Sequence, residues 1–222
     1  MPSKFKIARF DAIIAGDAEL GALNAFKRES EISHVPPIER RRLSKGAKMC
    51  VSLLRAAEGL PIVFASRLGE NNRCFSMLDT IARAEPLSPA AFCVSVHNAI
   101  PAQNAIFTGN RGEISAISAT LALENGVALA VSRLEECEKI AVLSYFEDMN
   151  NEILSNSNLI YALLLVLEKG EDFSLEFSSN LNGDDSNLNS DFAFLRAMLE
   201  GKSEWQTRDS NLIWTWRRET AN

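Results

Sequence analysis

The chain alternates between short apolar runs and longer segments in which apolar residues recur every three or four positions. Ile62–Ala65 is a continuous apolar run of strand length, as expected of a strand buried on both faces of a parallel sheet. Ser44–Glu58 instead carries its apolar residues at helical spacing, and Gly59 and Pro61 end that helix. The same two patterns predict strands at residues 5–15, 113–117 and 140–146, and helices at residues 18–28, 71–84 and 120–136. This alternation predicts an α/β fold with a layered sheet.

The pattern changes after about residue 150. Two apolar runs, Ile160–Leu167 and Phe173–Phe177, flank the polar stretch Lys169–Asp172. This arrangement predicts a β-hairpin with a tight turn. The stretch 180–189 is rich in Asn, Asp, Ser and Gly, which predicts an exposed loop, and a short helix is expected at 191–200.

These differences suggest a division of the chain into two parts. Residues 1–150 would form the main α/β domain, and residues 151–222 a short α+β extension packed on the same domain. Three tryptophans crowd the end of this extension, where they are expected in the core or at an interface: Trp205, Trp214 and Trp216.

Composition and charge narrow the possible functions. The chain has 222 residues, enough for a substantial core, and its net charge of −6 argues against nucleic-acid binding, which needs a basic surface. No apolar run reaches the length of a membrane span and no N-terminal signal pattern is seen, so we expect a cytoplasmic protein. The four cysteines lie in apolar stretches without metal-ligand spacing, which indicates buried thiols and no metal site. No cofactor is expected.

Several short motifs between residues 36 and 149 together indicate a known family. In this order and spacing they resemble the N-terminal half of β-ketoacyl synthases, enzymes of the thiolase superfamily. The resemblance extends to the synthase-like group encoded beside aryl polyene pathways, in which short members act as chain length factors. It implies a thiolase-like half domain with α-β-α layers and a role in fatty-acid- or polyketide-type chain elongation. The motifs are Arg41–Ser44, Ile62–Glu70, Leu87–Pro89 leading to Phe92, Ser95–Ala99, Thr108–Asn110 and Asn125-Gly126.

One position separates this chain from the active synthases that it resembles. The run Ala119–Gly126 has the layout of the strand-to-helix turn in which such enzymes carry Ala-Cys-Ser-Ser-Gly, and Leu123 occupies the place of the nucleophilic cysteine. A leucine side chain has no lone pair with which to attack a thioester. The catalytic histidines of the family lie in the C-terminal half of a full-length synthase, whereas both histidines of this chain, His34 and His97, precede Leu123. The resemblance therefore implies a catalytically inactive subunit.

The resemblance also implies a partner and a mechanism. Thiolase-fold proteins pair as dimers, so we expect a heterodimer with a full-length β-ketoacyl synthase, which acyl carrier protein reaches through the complex. The chain would wall the acyl tunnel of its partner and limit product length sterically, with the strand at 113–118 pairing across the dimer axis. The candidates for contact with the acidic helix of the carrier protein are Arg40, Arg41 and Arg42. The candidates for the acyl tunnel and the interface are Ala91, Phe92, Val94, Val96, His97, Asn98, Phe107, Ile114 and Ala116.

Two other functions stay open on the sequence alone. A thioesterase or decarboxylase would use Cys93, four residues before His97, or Ser66, which follows a predicted strand. The apolar neighbours of Cys93 favour a packed thiol, His97 suits a turn-fixing hydrogen bond, and Ser66 lacks the glycines of a nucleophile elbow. Gly109–Gly112 lacks the spacing of a phosphate-binding loop. The other alternative is a stand-alone module that binds acyl carrier protein or an acyl chain.

Overall fold

The secondary structure is known from a computed structural model, which describes residues 3–16, 19–148, 158–181 and 190–219. The strands are β1 (Ser3–Ala15), β2 (Ile62–Ser66), β3 (Ile114–Ile117), β4 (Lys139–Glu147), β5 (Ile160–Ser179), β6 (Glu204–Arg208) and β7 (Leu212–Arg218). The helices are α1 (Pro37–Arg40), α2 (Lys45–Leu54), α3 (Asn71–Ala82), α4 (Pro89–Cys93), α5 (Ala99–Thr108), α6 (Ala122–Arg133) and α7 (Ser190–Glu200). Two 3-10 helices span Gly21–Phe26 and Arg55–Ala57.

The strands join one sheet in the order β3–β2–β4–β5–β7–β6, and β1 pairs with β5. β2 runs parallel to β3 and β4, whereas β5 is antiparallel to β4, β1 and β7. Every residue of β2 is buried. A continuous apolar run is typical of such a central parallel strand, because helices cover both of its faces. The predicted α/β sheet is confirmed.

Helices pack on both faces of the sheet. Ile140 and Val142 of β4 belong to a core cluster that includes residues of α6 and α7, whereas Ala141 and Leu143 belong to a second cluster with α2. Successive residues of a strand point to opposite faces, which explains this alternation. The molecule therefore has the layered α-β-α arrangement expected of a thiolase-like half domain.

The predicted hairpin at residues 160–177 is wrong. β5 is a single strand of 20 residues, and β1 pairs antiparallel with both of its parts, so the chain does not reverse direction. The register shifts between Phe5 and Lys6 of β1, where residues 169–172 bulge out of the ladder. Gly170 fits this bulge, because a Cβ there would lie 2.6 Å from the Cβ of Lys6. Polar residues and glycine suit a bulge as well as a turn, so the local composition did not distinguish the two.

Two other segments differ from the prediction. The helix expected at 18–28 is the 3-10 helix Gly21–Phe26, and α5 was not predicted. Pro101 lies in the first turn of α5, where a helix tolerates proline because the first backbone N–H groups have no intrahelical acceptor. The predicted helix at 191–200 is confirmed as α7, whereas residues 182–189 of the predicted loop lie outside the described residues.

The C-terminal strands continue the sheet. β5 pairs with β4, and β7 in turn pairs with β5. Trp205 and Trp216 are buried and stack with their ring centroids 5.5 Å apart. The two predicted parts share one hydrogen-bonded sheet, and the division near residue 150 stays a prediction from the sequence.

Candidate functional site

The turn between β3 and α6 contains the position at which the sequence indicates a replaced nucleophile. β3 ends at Ile117 and α6 begins at Ala122, so Leu123 lies in the first turn of the helix. Its side chain is fully buried in the core. Gly126 lets the helix approach the sheet closely, because a Cβ there would lie 2.9 Å from the Cβ of Ala65. The hydrocarbon side chain of Leu123 thus packs as a core residue.

A buried carboxylate directly follows Leu123. Glu124 is fully buried, and its Oε1 accepts hydrogen bonds from Thr207 Oγ1 at 2.7 Å and from Trp216 Nε1 at 3.3 Å. Burial raises the pKa of this carboxyl group. Sequence reasoning missed Glu124, because both hydrogen-bond donors come from strands more than 80 residues away.

His97 connects the segment between α4 and α5 to the end of the edge strand. Its Nε2 lies 2.8 Å from the backbone oxygen of Ile117, and its ring meets the ring of Phe64 edge-on with centroids 5.5 Å apart. A Cβ on Gly69 would lie 2.9 Å from His97 Nδ1, so the glycine leaves room for the imidazole. His97 holds two chain segments together at the carboxyl ends of β2 and β3.

The two alternative nucleophiles, Cys93 and Ser66, occupy different environments, and the Cys50 thiol differs from both. Cys93 is exposed on α4, whereas Cys50 is fully buried and burial raises its pKa. The Ser66 hydroxyl is buried and accepts a 2.9 Å hydrogen bond from the Gly69 backbone N–H. The hydrogen bond of His97 Nε2 goes to a backbone oxygen and not to a thiol. The described part of the chain therefore shows no hydrogen-bonded cysteine–histidine pair.

A cleft of about 850 Å³ opens between α1, α3, α4 and α5. Four of the predicted tunnel residues line it together with two of the predicted carrier-protein residues: Ala91, Val94, Val96, Phe107, Arg41 and Arg42. The other candidates do not line the cleft: Phe92, His97, Asn98, Ile114, Ala116 and Arg40. Sequence reasoning missed several lining residues, chiefly on the unpredicted helix α5: Arg73, Ala99, Ala102, Gln103 and Ile106.

Three arginines line the cleft and differ in their partners. Arg42 pairs with Glu39 at 3.3 Å, and the Nε of Arg73 pairs with the buried Glu70 at 3.1 Å. Burial raises the pKa of Glu70. Arg41 is exposed and forms no ion pair with another described residue. The cleft thus combines apolar walls with an uncompensated positive charge at its rim.

A set of apolar side chains beside the cleft faces solvent. No residue of α3 is buried, although its apolar residues recur on one side of the helix. Large apolar groups rarely cluster on the surface of a monomer unless another molecule covers them. We call this the α3–α4 surface; it consists of Phe75, Leu78, Ile81, Leu87, Phe92 and Val96, each more than 40% exposed.

β3 forms one edge of the sheet. It pairs with β2 on one side and with no strand of the described residues on the other. Ile114 is half-buried and Ala116 is exposed. Arg133 of α6 donates a 2.7 Å hydrogen bond to the Ser115 hydroxyl and pairs with Glu113. The free edge offers backbone groups to which another strand can bind.

Within the residues that the structure describes, no three or more His, Cys, Asp or Glu side chains are grouped so that they could hold a metal ion. No helix of that part is long and apolar enough to cross a membrane.

Comparison with known proteins identifies the fold and the family. The family profile of the β-ketoacyl synthase N-terminal domain matches residues 18–217. A search of curated proteins finds no match. A solved structure of the ketosynthase ApeO in complex with its chain length factor ApeC, from Xenorhabdus doucetiae, contains a similar chain. The TM-score is 0.80 at 24% identity, and the match covers 97% of this chain and 99% of that chain.

More distant solved structures share the fold. A β-ketoacyl synthase from Burkholderia phymatum matches with a TM-score of 0.56 at 9% identity, over 88% of this chain and 70% of that one. The complex AntDE:AntF, described as a type II polyketide synthase acyl carrier protein with its ketosynthase, matches with a TM-score of 0.53 at 12% identity. That match covers 90% of this chain and 76% of the other.

Proposed function

Because the chain belongs to the family of β-ketoacyl synthase N-terminal domains, we propose that it is a chain length factor. In this role it is a non-catalytic subunit that pairs with an active β-ketoacyl synthase and walls the acyl tunnel of that enzyme. The observation that carries the proposal is Leu123, a fully buried aliphatic residue at the strand-to-helix turn where the family carries its nucleophile. A side chain without a lone pair cannot form the acyl-enzyme intermediate.

The remaining thiols support a non-catalytic role. A reactive cysteine needs an accessible thiolate, usually beside a histidine or another positive charge. Cys50 is buried in apolar surroundings that raise its pKa. The Cys74 thiol lies 3.5 Å from the backbone oxygen of Ser95, and the Cys137 thiol lies 3.4 Å from that of Arg133. Cys93 is exposed, but the imidazole of His97 is engaged at Nε2 with Ile117. The described residues thus provide no activated substitute for the family cysteine.

Two neighbouring features supply the surface for the partner. The edge of β3 is open, and His97 joins its end to the segment that carries Phe92 and Val96 of the α3–α4 surface. Burying these apolar groups in a heterodimer would remove them from water, at a gain of roughly 25 cal/mol per Å². The ApeO–ApeC structure supports the formation of a heterodimer, since it contains a ketosynthase and a chain length factor in one complex.

The cleft supplies the side chains that limit product length by steric contact. In the proposed complex it lies at the end of the partner's tunnel, where Val94 and Phe107 contact the growing chain. Each CH₂ group that fits gains about 0.8 kcal/mol, whereas forced overpacking costs about 1–3 kcal/mol. Growth therefore stops when the next two-carbon unit meets these side chains, and their size determines the product length.

The proposal is tested by co-expression with a full-length β-ketoacyl synthase from the same genome, followed by affinity capture. We expect a stable heterodimer, and we expect Leu78→Glu to lower its recovery by about tenfold or more, because an unpaired charge is costly in an apolar interface. Leu199→Glu is the matched control, because Leu199 is an exposed leucine on α7, outside the α3–α4 surface. A monomer without affinity for any such synthase, or acyl condensation by the isolated chain, would contradict the proposal.

A stand-alone carrier-protein-binding module is the second candidate, and the unpaired Arg41 at the rim of the cleft favours it. Acidic carrier proteins would approach such a positive charge by electrostatic attraction. The two candidates differ in one measurement. The module binds carrier protein equally well with and without the synthase, whereas the chain length factor contacts it through the heterodimer.

A further inference from the structure

Two carboxyl groups lie in the core, and no described residue gives either of them a cationic partner. Glu124 on α6 and Asp191 on α7 are 0% and 3% exposed. Neither belongs to any ion pair between described residues. One oxygen of each, Glu124 Oε2 and Asp191 Oδ1, also has no hydrogen-bond partner in this part of the chain. Such an environment favours the protonated form, because a buried charge without compensation is costly.

The neighbours of the two carboxyls are neutral and come from several elements. Thr207 of β6 and Trp216 of β7 donate hydrogen bonds to Glu124, and the Tyr161 hydroxyl of β5 donates to Asp191 Oδ2 at 3.1 Å. This carboxyl cluster therefore joins α6, α7 and three strands of the sheet.

The remaining described elements around the cluster add no charge. Ser144 of β4 lies beside Asp191, and Ser190 of α7 lies beside Glu124; neither hydroxyl titrates in the physiological range. The 3-10 helix Gly21–Phe26 packs against α7, and its sequence contains no titratable side chain. Among the described residues, the titratable group that faces the cluster besides the two carboxyls is the Tyr161 hydroxyl, and burial raises its pKa well above the usual range.

We propose that Glu124 and Asp191 form a proton-dependent latch, which holds α7, β6 and β7 against α6 while protons are bound and loosens these elements when the protons leave. The proposal is independent of the chain's role beside a synthase. It assigns a function to a polar cluster that neither the cleft nor the partner surface uses.

The direction of the pH effect follows from proton linkage. Burial, and after it the charge of Glu124, raise the pKa of Asp191 to about 6, and burial also raises the pKa of Glu124. The folded protein then holds protons that the unfolded chain, with a carboxyl pKa of about 4, has already released. The stabilisation is complete below about pH 4 and is lost as the pH rises through about 6.

The experiment measures urea unfolding of the full chain between pH 4 and pH 8, for the wild type and for Asp191→Asn and Glu124→Gln. These amides keep the shape of the carboxyls and remove their titration. For one proton, the ratio of the wild-type unfolding constant to that of Asp191→Asn should rise by about 50-fold between pH 4 and pH 7. Asp172→Asn, at an exposed aspartate of β5 that forms no ion pair with another described residue, is the matched control and should change the ratio far less.

Hydrogen exchange locates the effect. In the wild type, amides of α7, β6 and β7 should lose protection between pH 5 and pH 8, after correction for intrinsic exchange, whereas Asp191→Asn should retain it. If the unfolding constant and the amide protection depended on pH in the same way in the wild type and in Asp191→Asn, the proposal would be overturned. If the variants do not fold, NMR titration of the wild-type side-chain carboxyl carbons decides instead: an Asp191 midpoint below about 4.5 would refute the latch.

Discussion

The hydroxyl of Thr207 donates a 2.7 Å hydrogen bond to Oε1 of Glu124 and joins β6 to the first turn of α6 across 83 positions of the chain. The indole of Trp216 donates to the same oxygen. Through this contact the C-terminal strands support the turn that carries Leu123, the residue that the sequence predicts at the nucleophile position of the family. The C-terminal segment is therefore part of the environment of the candidate site.

Thr207→Val should destabilise the protein, because it leaves the buried oxygen of Glu124 with only the longer hydrogen bond from Trp216. We expect a loss of about 1–3 kcal/mol in the free energy of unfolding, measured by urea denaturation near pH 7. Thr215→Val is the matched control. Its hydroxyl accepts from the exposed Gln206, which can bond to water instead, so the loss should be smaller. Equal losses for both variants would show that the bond to Glu124 is of no special importance.

Product length should follow the volume of side chains at and beside the cleft. Phe107→Ala should lengthen the products made by the heterodimer, and Val94→Phe should shorten them, because the first substitution removes bulk from the cleft wall and the second adds it. The measurement is mass spectrometry of acyl products from the reconstituted complex. Phe177→Ala, at an exposed aromatic on β5, is the control and should leave the lengths unchanged. An unchanged distribution of product lengths with Phe107→Ala would remove that residue from the set that limits length.

Reversal of the charge at the cleft rim should weaken the contact with carrier protein. Arg41→Glu should lower the affinity of the complex for acyl carrier protein by about 1 kcal/mol, roughly fivefold, and the effect should shrink as salt screens the charges. Arg55→Glu changes an exposed arginine outside the cleft and should have little effect. Titration calorimetry at two ionic strengths measures both variants. An equal loss of affinity in the two variants would show that the effect of Arg41→Glu reflects only the change in net charge.

The cysteines should react with a thiol reagent in a defined order. Cys93 is exposed and should react first, whereas Cys50 is fully buried with a raised pKa and should react only when the protein unfolds. Reactions with an aromatic disulfide are quenched at set times. Peptide mass spectrometry of the quenched samples then gives the labelling rate of each thiol. Cys93→Ser should remove the fastest phase. Fast labelling of Cys50 in the folded protein would show that α2 opens more readily than its packing indicates.

The sequence predicted most of the elements that position the site, and it failed where packing partners decide the structure. Ser44 indicated the start of α2, and its hydroxyl does accept a hydrogen bond from the backbone N–H of Ala47. Helix α5 was not predicted, since Pro101 and a weak apolar pattern conceal it. Much of the cleft depends on α5, and this is why Gln103 and Ile106 were missing from the predicted set.

On its own, the sequence determined the alternation of buried strands and helices, because the spacing of apolar residues is a local property of the chain. The replacement of the family's nucleophile by Leu123 stays a prediction from the sequence. Only the tertiary structure decided that β5 continues as one strand, with a bulge at residues 169–172, since a strand bulges or turns according to the neighbour with which it pairs. It also decided the burial of Glu124 beside Thr207 and the meeting of Arg41 with Val94 around one cleft. These contacts join residues far apart in the chain, and no local pattern specifies which distant surfaces come together.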